Sequence, residues 1–304
     1  MPTLLRRLAV AVTAPALLST ACANPAANPR APGADATPGG SGAPTTPATP
    51  SLTLPTGPTP AQLRAAARAR LSAAIAAQPA GGVSVAAVNV ATGRAFAAGA
   101  HGGMRTASAY KLLMVVAVLL QHDGLSDYED ELATSALENS DNAAGYNLYL
   151  DAGGISGVQD TLDDLGMTHT VCSSSDPTLT RTSAGDYLRL LRVLVTPGKI
   201  SRDGRAGVLA MMRDVEADQR WGVGVVADKG TTFANKNGWL SIDDSNGPGD
   251  SDRGLWAVAS VGIVTVHGQQ LLMSVFTQHQ SDFATGVRLV ERLARLTAPM
   301  VARV

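Results

Sequence analysis

The sequence predicts an α+β fold in which a five-stranded antiparallel sheet is flanked by N- and C-terminal helices and carries an all-helical insertion. Strand-like runs occur in two groups, a pair near residue 90 and three after residue 230, and neighbouring runs are separated by turn or loop residues. Between the two groups, the hydrophobic pattern predicts a block of helices. Strands from both ends of the folded part are therefore expected to share one sheet.

Hydrophobic periodicity and turn residues define the individual elements. Ala91-Thr92-Gly93 and His267-Gly268 join pairs of strands, and Ser140-Asp141-Asn142 and Gly153-Gly154 interrupt the helical block. In chain order the predicted elements are a helix at 61–78, strands at 82–90 and 94–100, a helix from about 108 to 120, short helices at 126–165, a helix at 183–195, strands at 230–240, 255–266 and 271–278, and a helix at 281–303.

The first 60 residues are predicted to lie outside the folded domain. Residues 1–23 have a basic start, an apolar segment and small residues, as secretory signals do. The stretch ending at Cys22 resembles a bacterial lipobox, whose Cys is lipid-modified after cleavage; ordinary cleavage after Ala23 is the alternative. Residues 24–60 are rich in Ala, Pro, Gly and Thr, which predicts a disordered tether. The domain at 61–304 is thus expected to be exported, either lipid-anchored to the outer face of the cytoplasmic membrane or secreted.

Bulk composition excludes some classes of function. The chain has 304 residues, 45% of them hydrophobic, and a net charge of −1, which suits one large domain and argues against nucleic-acid binding. The five His residues have no ligand spacing, so neither a metal nor another cofactor is expected. Cys172 is predicted to be a buried apolar residue. We expect a monomer.

A hydroxyl and an amine lie at the start of the most apolar segment, 112–120. Ser108 and Lys111 are three residues apart, so on a helix they share one face. The segment behind them is apolar on every side, which predicts a buried helix, where an unpaired ammonium is costly. The chain has 20 Arg and only four Lys. Because Lys, unlike Arg, can lose its proton when buried, Lys111 is predicted to have a chemical role.

Two further motifs follow Ser108-x-x-Lys111. Ser140-Asp141-Asn142 lies at a break between helices, and Lys236-Asn237-Gly238 lies near the end of a strand. Each is short enough to occur by chance, but the set in this order resembles the penicillin-recognising serine enzymes, namely class A β-lactamases and related D,D-peptidases. The resemblance covers about residues 60–304 and implies a β-lactamase/D,D-peptidase-like fold.

The resemblance implies roles in catalysis for three side chains. Ser108 is expected to be the nucleophile and Lys111 its general base, since a serine hydroxyl needs a neighbouring base. Ser140 is expected to relay a proton to the leaving nitrogen. The N–H groups of Ser108 and Trp239 are expected to form the oxyanion hole.

The resemblance also implies a set of substrate-binding residues. Asn142 is expected to contact Lys111 and the side-chain amide of the substrate. Lys236 is expected to attract the substrate carboxylate, to which the amide of Asn237 is expected to donate.

The sequence departs from the class A pattern in three places. Asn237 replaces the usual Thr or Ser, and Ser140 follows Ser108 after only 32 residues, which implies a shortened helical subdomain. Class A enzymes also carry a Glu that activates the deacylating water, but no Glu occurs between Glu138 and Glu216. Asp176 begins a faint echo of that motif. It is either a deacylation base or the start of an Asp-Pro turn.

Taken together, the motifs predict an exported serine hydrolase that is acylated by β-lactams and then hydrolyses the adduct. A D,D-peptidase or penicillin-binding protein acting on cell-wall stem peptides is the alternative within the fold, and the missing Glu favours it. A non-catalytic cell-wall-binding lipoprotein is the alternative from another class, although it would not need the two amines. The expected partners are a β-lactam or cell-wall peptide and, through the lipid anchor, a membrane.

Overall fold

The predicted five-stranded antiparallel sheet is present in the computed structural model, which describes residues 57–122, 124–174, 176–242 and 252–302. The strands are β1 (Val83–Asn89), β2 (Ala95–Gly99), β3 (Met104–Arg105), β4 (Arg181–Thr182), β5 (Ala234–Ser241), β6 (Trp256–Val266) and β7 (Gln269–Gln280). The sheet order is β2-β1-β7-β6-β5, while β3 and β4 form a separate pair. Strands from the two ends of the domain therefore meet at β1 and β7, and β5 forms one edge.

Helices cover both faces of this sheet. They are α1 (Pro60–Ala76), α2 (Tyr110–His122), α3 (Asp127–Glu138), α4 (Asn142–Asp151), α5 (Gly154–Leu165), α6 (Ala184–Val195), α7 (Arg202–Arg213) and α8 (Phe283–Val301). Side chains alternate across β1, so Val85 and Ala87 pack with α1 and α8, whereas Ala86 and Val88 face the helical layer. The sheet thus separates two hydrophobic cores, as an α+β fold requires.

Helix α2 runs through the middle of the helical core. All of its residues from Tyr110 to Leu119 are buried, which confirms the prediction from its uniformly apolar sequence. A 3-10 turn, Ala107–Ala109, leads into it and carries Ser108. The candidate nucleophile therefore lies just before the N-terminal end of a fully buried helix.

Two features were not predicted from the sequence. Helix α7 contains two glycines and buries only Val208, Met211 and Met212, so its apolar signal is weak. The β3–β4 pair has two residues per strand, which is too short for a pattern to show. In addition, β5 begins at Ala234, four residues later than predicted.

Several predictions fall on residues that the structure does not describe. The signal segment with Cys22, most of the tether and most of the 243–253 loop lie outside the described residues. These predictions, and the domain boundaries that depend on them, stay predictions. Within the described ranges, no helix combines the length and the apolarity needed to cross a membrane.

Candidate active site

Ser108 lies in a strained turn at the start of α2. Ala107, directly before it, has a φ of 44°, a left-handed value that an L-residue adopts at a cost. Thr106 ties the turn to the neighbouring segment, because its backbone N–H and its hydroxyl both donate to the carbonyl of Thr180, at 2.9 and 3.0 Å. These bonds hold the half-buried Ser108 side chain next to Lys111.

The Lys111 amine lies within hydrogen-bond distance of four oxygens. Its Nζ is 2.8 Å from Ser108 Oγ, 2.8 Å from the Ser140 carbonyl, 3.3 Å from Ser140 Oγ and 2.7 Å from Asn142 Oδ1. The carbonyl and the amide oxygen can only accept, so they take two N–H groups. The remaining position of the amine faces the serine hydroxyls. In neutral Lys111 this position is the lone pair, which is placed to accept a proton from Ser108.

Burial makes the neutral form of Lys111 accessible. It lowers the pKa of Lys111 from 10.5 to about 8, although the carboxylates of Asp141 and Asp176 oppose the shift by favouring the ammonium. At pH 7 roughly a tenth of the molecules then carry the neutral amine. The lowered pKa agrees with the chemistry expected of a buried lysine base.

Ser140 is the second strained residue of the site. Its φ is 61°, and it lies in the break between α3 and α4, where the sequence predicted one. Asp141 caps α4 by accepting a hydrogen bond from the backbone N–H of Ala144 at 2.7 Å. The strained turn directs both the carbonyl and the hydroxyl of Ser140 toward Lys111.

Asn142 is the first residue of α4, and its side chain is exposed. Because its oxygen accepts from the Lys111 amine, its NH₂ group points away from that amine. An acceptor in the open part of the site, such as the carbonyl of an amide, suits this group.

Lys236 approaches the site from the edge strand β5. It is fully buried, and its Nζ has no hydrogen-bond partner among the described residues. Burial and the charge of Lys111 lower the pKa of Lys236 well below its usual value. The repulsion between the two amines thus lowers the pKa of Lys236 and not that of Lys111. An anionic group bound beside Lys236 would give the amine a partner and favour its protonated form.

Strand β5 passes directly against the turn that carries Ser108. A Cβ added at Gly238 would lie 2.5 Å from the carbonyl oxygen of Thr106 and 3.0 Å from the backbone nitrogen of Ser108. Only glycine allows this approach. Trp239 follows Gly238, so its backbone lies near the Ser108 backbone in space, as an oxyanion hole of two N–H groups requires.

The side chain of Trp239 points away from Lys236. Side chains alternate along a strand, so Trp239 shares a face with Asn237. Its ring packs at 6.1 Å from Trp221 and 5.8 Å from Phe283, between ring centroids. Trp239 therefore contributes its backbone to the site and its side chain to an aromatic cluster.

A comparison with protein families identifies the family of the chain. The model of the β-lactamase enzyme family matches residues 121–300. The chain belongs to this family. A comparison with curated proteins gave no match.

Solved β-lactamase structures share the fold. A β-lactamase from Chitinophaga pinensis DSM 2588 is 19% identical over 76% of this chain and 97% of its own, with a TM-score of 0.64. A class A β-lactamase from Bacteroides cellulosilyticus DSM 14838 is 16% identical over 79% and 97%, with a TM-score of 0.63. A mutant of PBP-A, solved as an acyl-enzyme complex with penicillin G, is 18% identical over 76% and 94%, with a TM-score of 0.63. The β-lactamase fold is thus shown, and with it the predicted fold class.

Asn237, where this family member departs from the usual motif, does not have the arrangement expected from the sequence. Its Nδ2 already donates to the carbonyls of Gln219, at 2.8 Å, and Trp221, at 3.1 Å, so it is not left for a substrate carboxylate. The side chain is 1% exposed. Asn237 instead fixes the 219–221 loop against β5. No local pattern indicates these partners, because they are backbone atoms 16 and 18 residues away.

Asp176 lies near Ser108 and Lys111. Its charge acts on both Tyr110 and Lys111, and the turn at Pro177–Leu179 that it caps packs against the Ser108 turn. One carboxylate oxygen accepts from the backbone N–H of Thr178 at 2.8 Å. Both sequence-based interpretations are therefore compatible with the position: Asp176 starts an Asp-Pro turn, and its carboxylate is close to the site.

Sequence reasoning missed Tyr110 as a part of the site. Lys111 Nζ is 5.5 Å from the centre of its ring, a distance at which the ring favours the ammonium. A Cβ added at Gly145 would lie 2.5 Å from the Tyr110 hydroxyl and 2.9 Å from Lys111 Cε. Gly145 on α4 thus makes room for both side chains. The sequence signal for this was the spacing: Gly145 follows Asn142 by three residues, so on a helix the two share a face.

Proposed function

We propose that the protein is a serine hydrolase that is acylated by β-lactams at Ser108 and then hydrolyses the adduct. The observation that carries this proposal is the 2.8 Å contact between Ser108 Oγ and Lys111 Nζ. Two obligatory acceptors already occupy N–H groups of the amine, so its remaining position belongs to the serine. Family membership supports the same reaction class.

The acylation step follows from the geometry. Neutral Lys111 takes the proton of Ser108 while Oγ attacks the lactam carbonyl carbon. The N–H groups of Ser108 and Trp239 stabilise the resulting oxyanion, a kind of contact typically worth ~3 kcal/mol of barrier. Lys111 then returns this proton by way of Ser140 Oγ, 3.3 Å from its Nζ: Ser140 donates its own proton to the lactam nitrogen as the C–N bond breaks and takes the proton of Lys111 in its place. Lys236 attracts the carboxylate of the substrate, and the NH₂ of Asn142 donates to its side-chain amide.

Deacylation requires a base that activates water. Asp176 is the carboxylate whose charge acts on Lys111 from the turn beside Ser108, and we assign this role to it. The turn at Pro177–Leu179 engages one of its oxygens, and Asp is one methylene shorter than Glu. We therefore expect release to be slower than acylation.

The second candidate function is a D,D-peptidase acting on cell-wall stem peptides. The specific observation in its favour is Thr180, which stands where the Glu-x-x-Leu-Asn motif of class A enzymes has its Asn. Thr180 is fully buried, and its hydroxyl lies against Cys172 Sγ. This residue consequently does not help to hold a deacylating water. Either function is proposed for an exported protein acting as a monomer, with Cys22 as the lipid attachment site and the outer face of the membrane as its location.

One experiment separates these functions. The purified 57–304 domain is mixed with a chromogenic cephalosporin, turnover is followed, and the intact mass is taken. Repeated turnover that is lost in Ser108→Ala supports the β-lactamase, and a persistent adduct supports the peptidase. Ser156→Ala, an exposed serine on α5, is the matched control and should behave as wild type. Absence of both turnover and adduct with several β-lactams would contradict both functions and favour a non-catalytic binding protein.

A further inference from the structure

Helix α4 exposes apolar side chains in line with the candidate site. Tyr146 and Leu150 are 48% and 51% exposed and follow Asn142 at intervals of four residues, so all three lie along one side of the helix. The helical rise puts Tyr146 about 6 Å and Leu150 about 12 Å from Asn142 along the axis. This exposed stripe therefore leads away from the catalytic pair.

The ring of Tyr146 is held in place by the residues beneath it. Its centroid is 6.0 Å from that of Tyr149, with the planes tilted by 38°. Tyr149 is buried, and its phenol oxygen accepts a hydrogen bond from the backbone of Ile155 at the start of α5. A ring supported in this way loses little freedom when a ligand packs on it.

We call the surface formed by Tyr146 and Leu150 the apolar shelf.

On the basis of the function proposed above, we propose that the apolar shelf binds the aromatic or aliphatic acyl substituent of the substrate. Asn142 lies between the shelf and the reacting atoms, because its Oδ1 is 2.7 Å from Lys111 Nζ. An acyl group whose amide contacts Asn142 continues along α4, and a substituent extending about 6 Å further reaches Tyr146. The shelf thus selects substrates with a bulky apolar group on the acyl side of the scissile bond.

The test compares two penicillins that differ only in this substituent. Benzylpenicillin carries a phenylacetyl group, whereas 6-acetamidopenicillanic acid keeps the amide and lacks the ring. Second-order acylation rates are measured by intact mass after rapid quenching. Tyr146→Ala should slow acylation by benzylpenicillin at least about fivefold, the loss expected for an aromatic contact, and change the acetamido compound less than twofold.

The matched control is Tyr128→Ala, which removes an equally exposed ring (57%) from α3 and should leave both rates unchanged. Tyr146→Phe should retain the wild-type preference. Equal losses for both penicillins in Tyr146→Ala, or no loss for either, would overturn the shelf while leaving the proposed function intact. Absence of both adduct and turnover with both penicillins in the wild type would overturn the proposed function and the shelf with it.

Discussion

Lys111 can act as a base only when neutral, and its pKa of about 8 lies above physiological pH. Acylation by benzylpenicillin should therefore rise about tenfold per pH unit below pH 7 and level off above about pH 9. Removing the charge of Asp176 takes away an influence that raises this pKa, so Asp176→Asn should shift the rising limb to lower pH. The measurement is the pH profile of the acylation rate.

Asp160→Asn, an exposed carboxylate on α5, is the control for that profile and should leave it unchanged. A rate independent of pH between 6 and 9 would show that Lys111 is not the base. A shift of the Asp176→Asn limb to higher pH would contradict the electrostatic argument.

Lys236 illustrates a conflict between stability and function in one residue. Its buried amine has no hydrogen-bond partner among the described residues, so Lys236→Met should raise the free energy of unfolding by about 1–3 kcal/mol. The same change removes the proposed carboxylate anchor and should slow acylation by benzylpenicillin at least about tenfold. Urea unfolding and intact mass test the two effects.

Lys229→Met serves as the control, because Lys229 is exposed and both quantities should stay near wild type. A drop in stability of Lys236→Met would mean that the amine has a stabilising contact. An unchanged acylation rate would remove Lys236 from the site.

At the scale of elements, the contact between β5 and the Ser108 turn is the most sensitive junction. Gly238→Ala would place a Cβ 2.5 Å from a backbone oxygen and 2.8 Å from the Ala109 nitrogen, neither of which can rotate away. We expect a loss of about 1–3 kcal/mol in stability and at least a tenfold loss in acylation, since the turn must shift. Thermal unfolding and acylation rates test this prediction.

The matched control for this junction is Gly207→Ala in α7, where an added Cβ meets no atom within 4 Å. Ala favours a helix over Gly by up to about 1 kcal/mol, so this variant should be neutral or slightly more stable. Wild-type behaviour of Gly238→Ala would show that the strand and the turn can separate without cost to the oxyanion site.

Elements with strong local signals were predicted well, and those stabilised by distant partners were not. Helix α2 was predicted because ten consecutive buried residues leave a continuous apolar run. Helix α7 was not predicted, because its two glycines disfavour a helix and only the tertiary packing of a few residues stabilises it. The pairing of β3 with β4 joins residues almost 80 positions apart, a contact that no local pattern encodes.

At the scale of the whole molecule, the candidate site draws on three separate parts of the chain. Ser108 and Lys111 come from the 3-10 turn and the start of α2, Ser140 and Asn142 from the break between α3 and α4 and the start of α4, and Lys236 from the sheet edge. The motifs identified these side chains because the chemistry restricts residue type. The motifs did not reveal that the Asn237 amide donates to backbone carbonyls of the 219–221 loop, nor that the Asp176 carboxylate lies close enough to influence the pKa of Lys111. Both features depend on the folded arrangement.

The two buried lysines also make the stability of the whole domain depend on pH. Between about pH 8 and 10.5 the unfolded chain retains the Lys111 proton that the folded protein has lost, so unfolding becomes less favourable as pH rises. The free energy of unfolding should increase from pH 8 to pH 9, by at most about 1.4 kcal/mol for each lysine that titrates. Above pH 9 the trend should weaken, since burial raises the pKa values of Cys172 and Tyr187.

Urea unfolding at closely spaced pH values measures the slope of stability against pH. Lys111→Met should reduce this slope, whereas the exposed control Lys229→Met should not. A wild-type stability that falls from pH 8 to pH 9 would show that both amines keep their protons in the folded state, and the general-base role of Lys111 would then have to be abandoned.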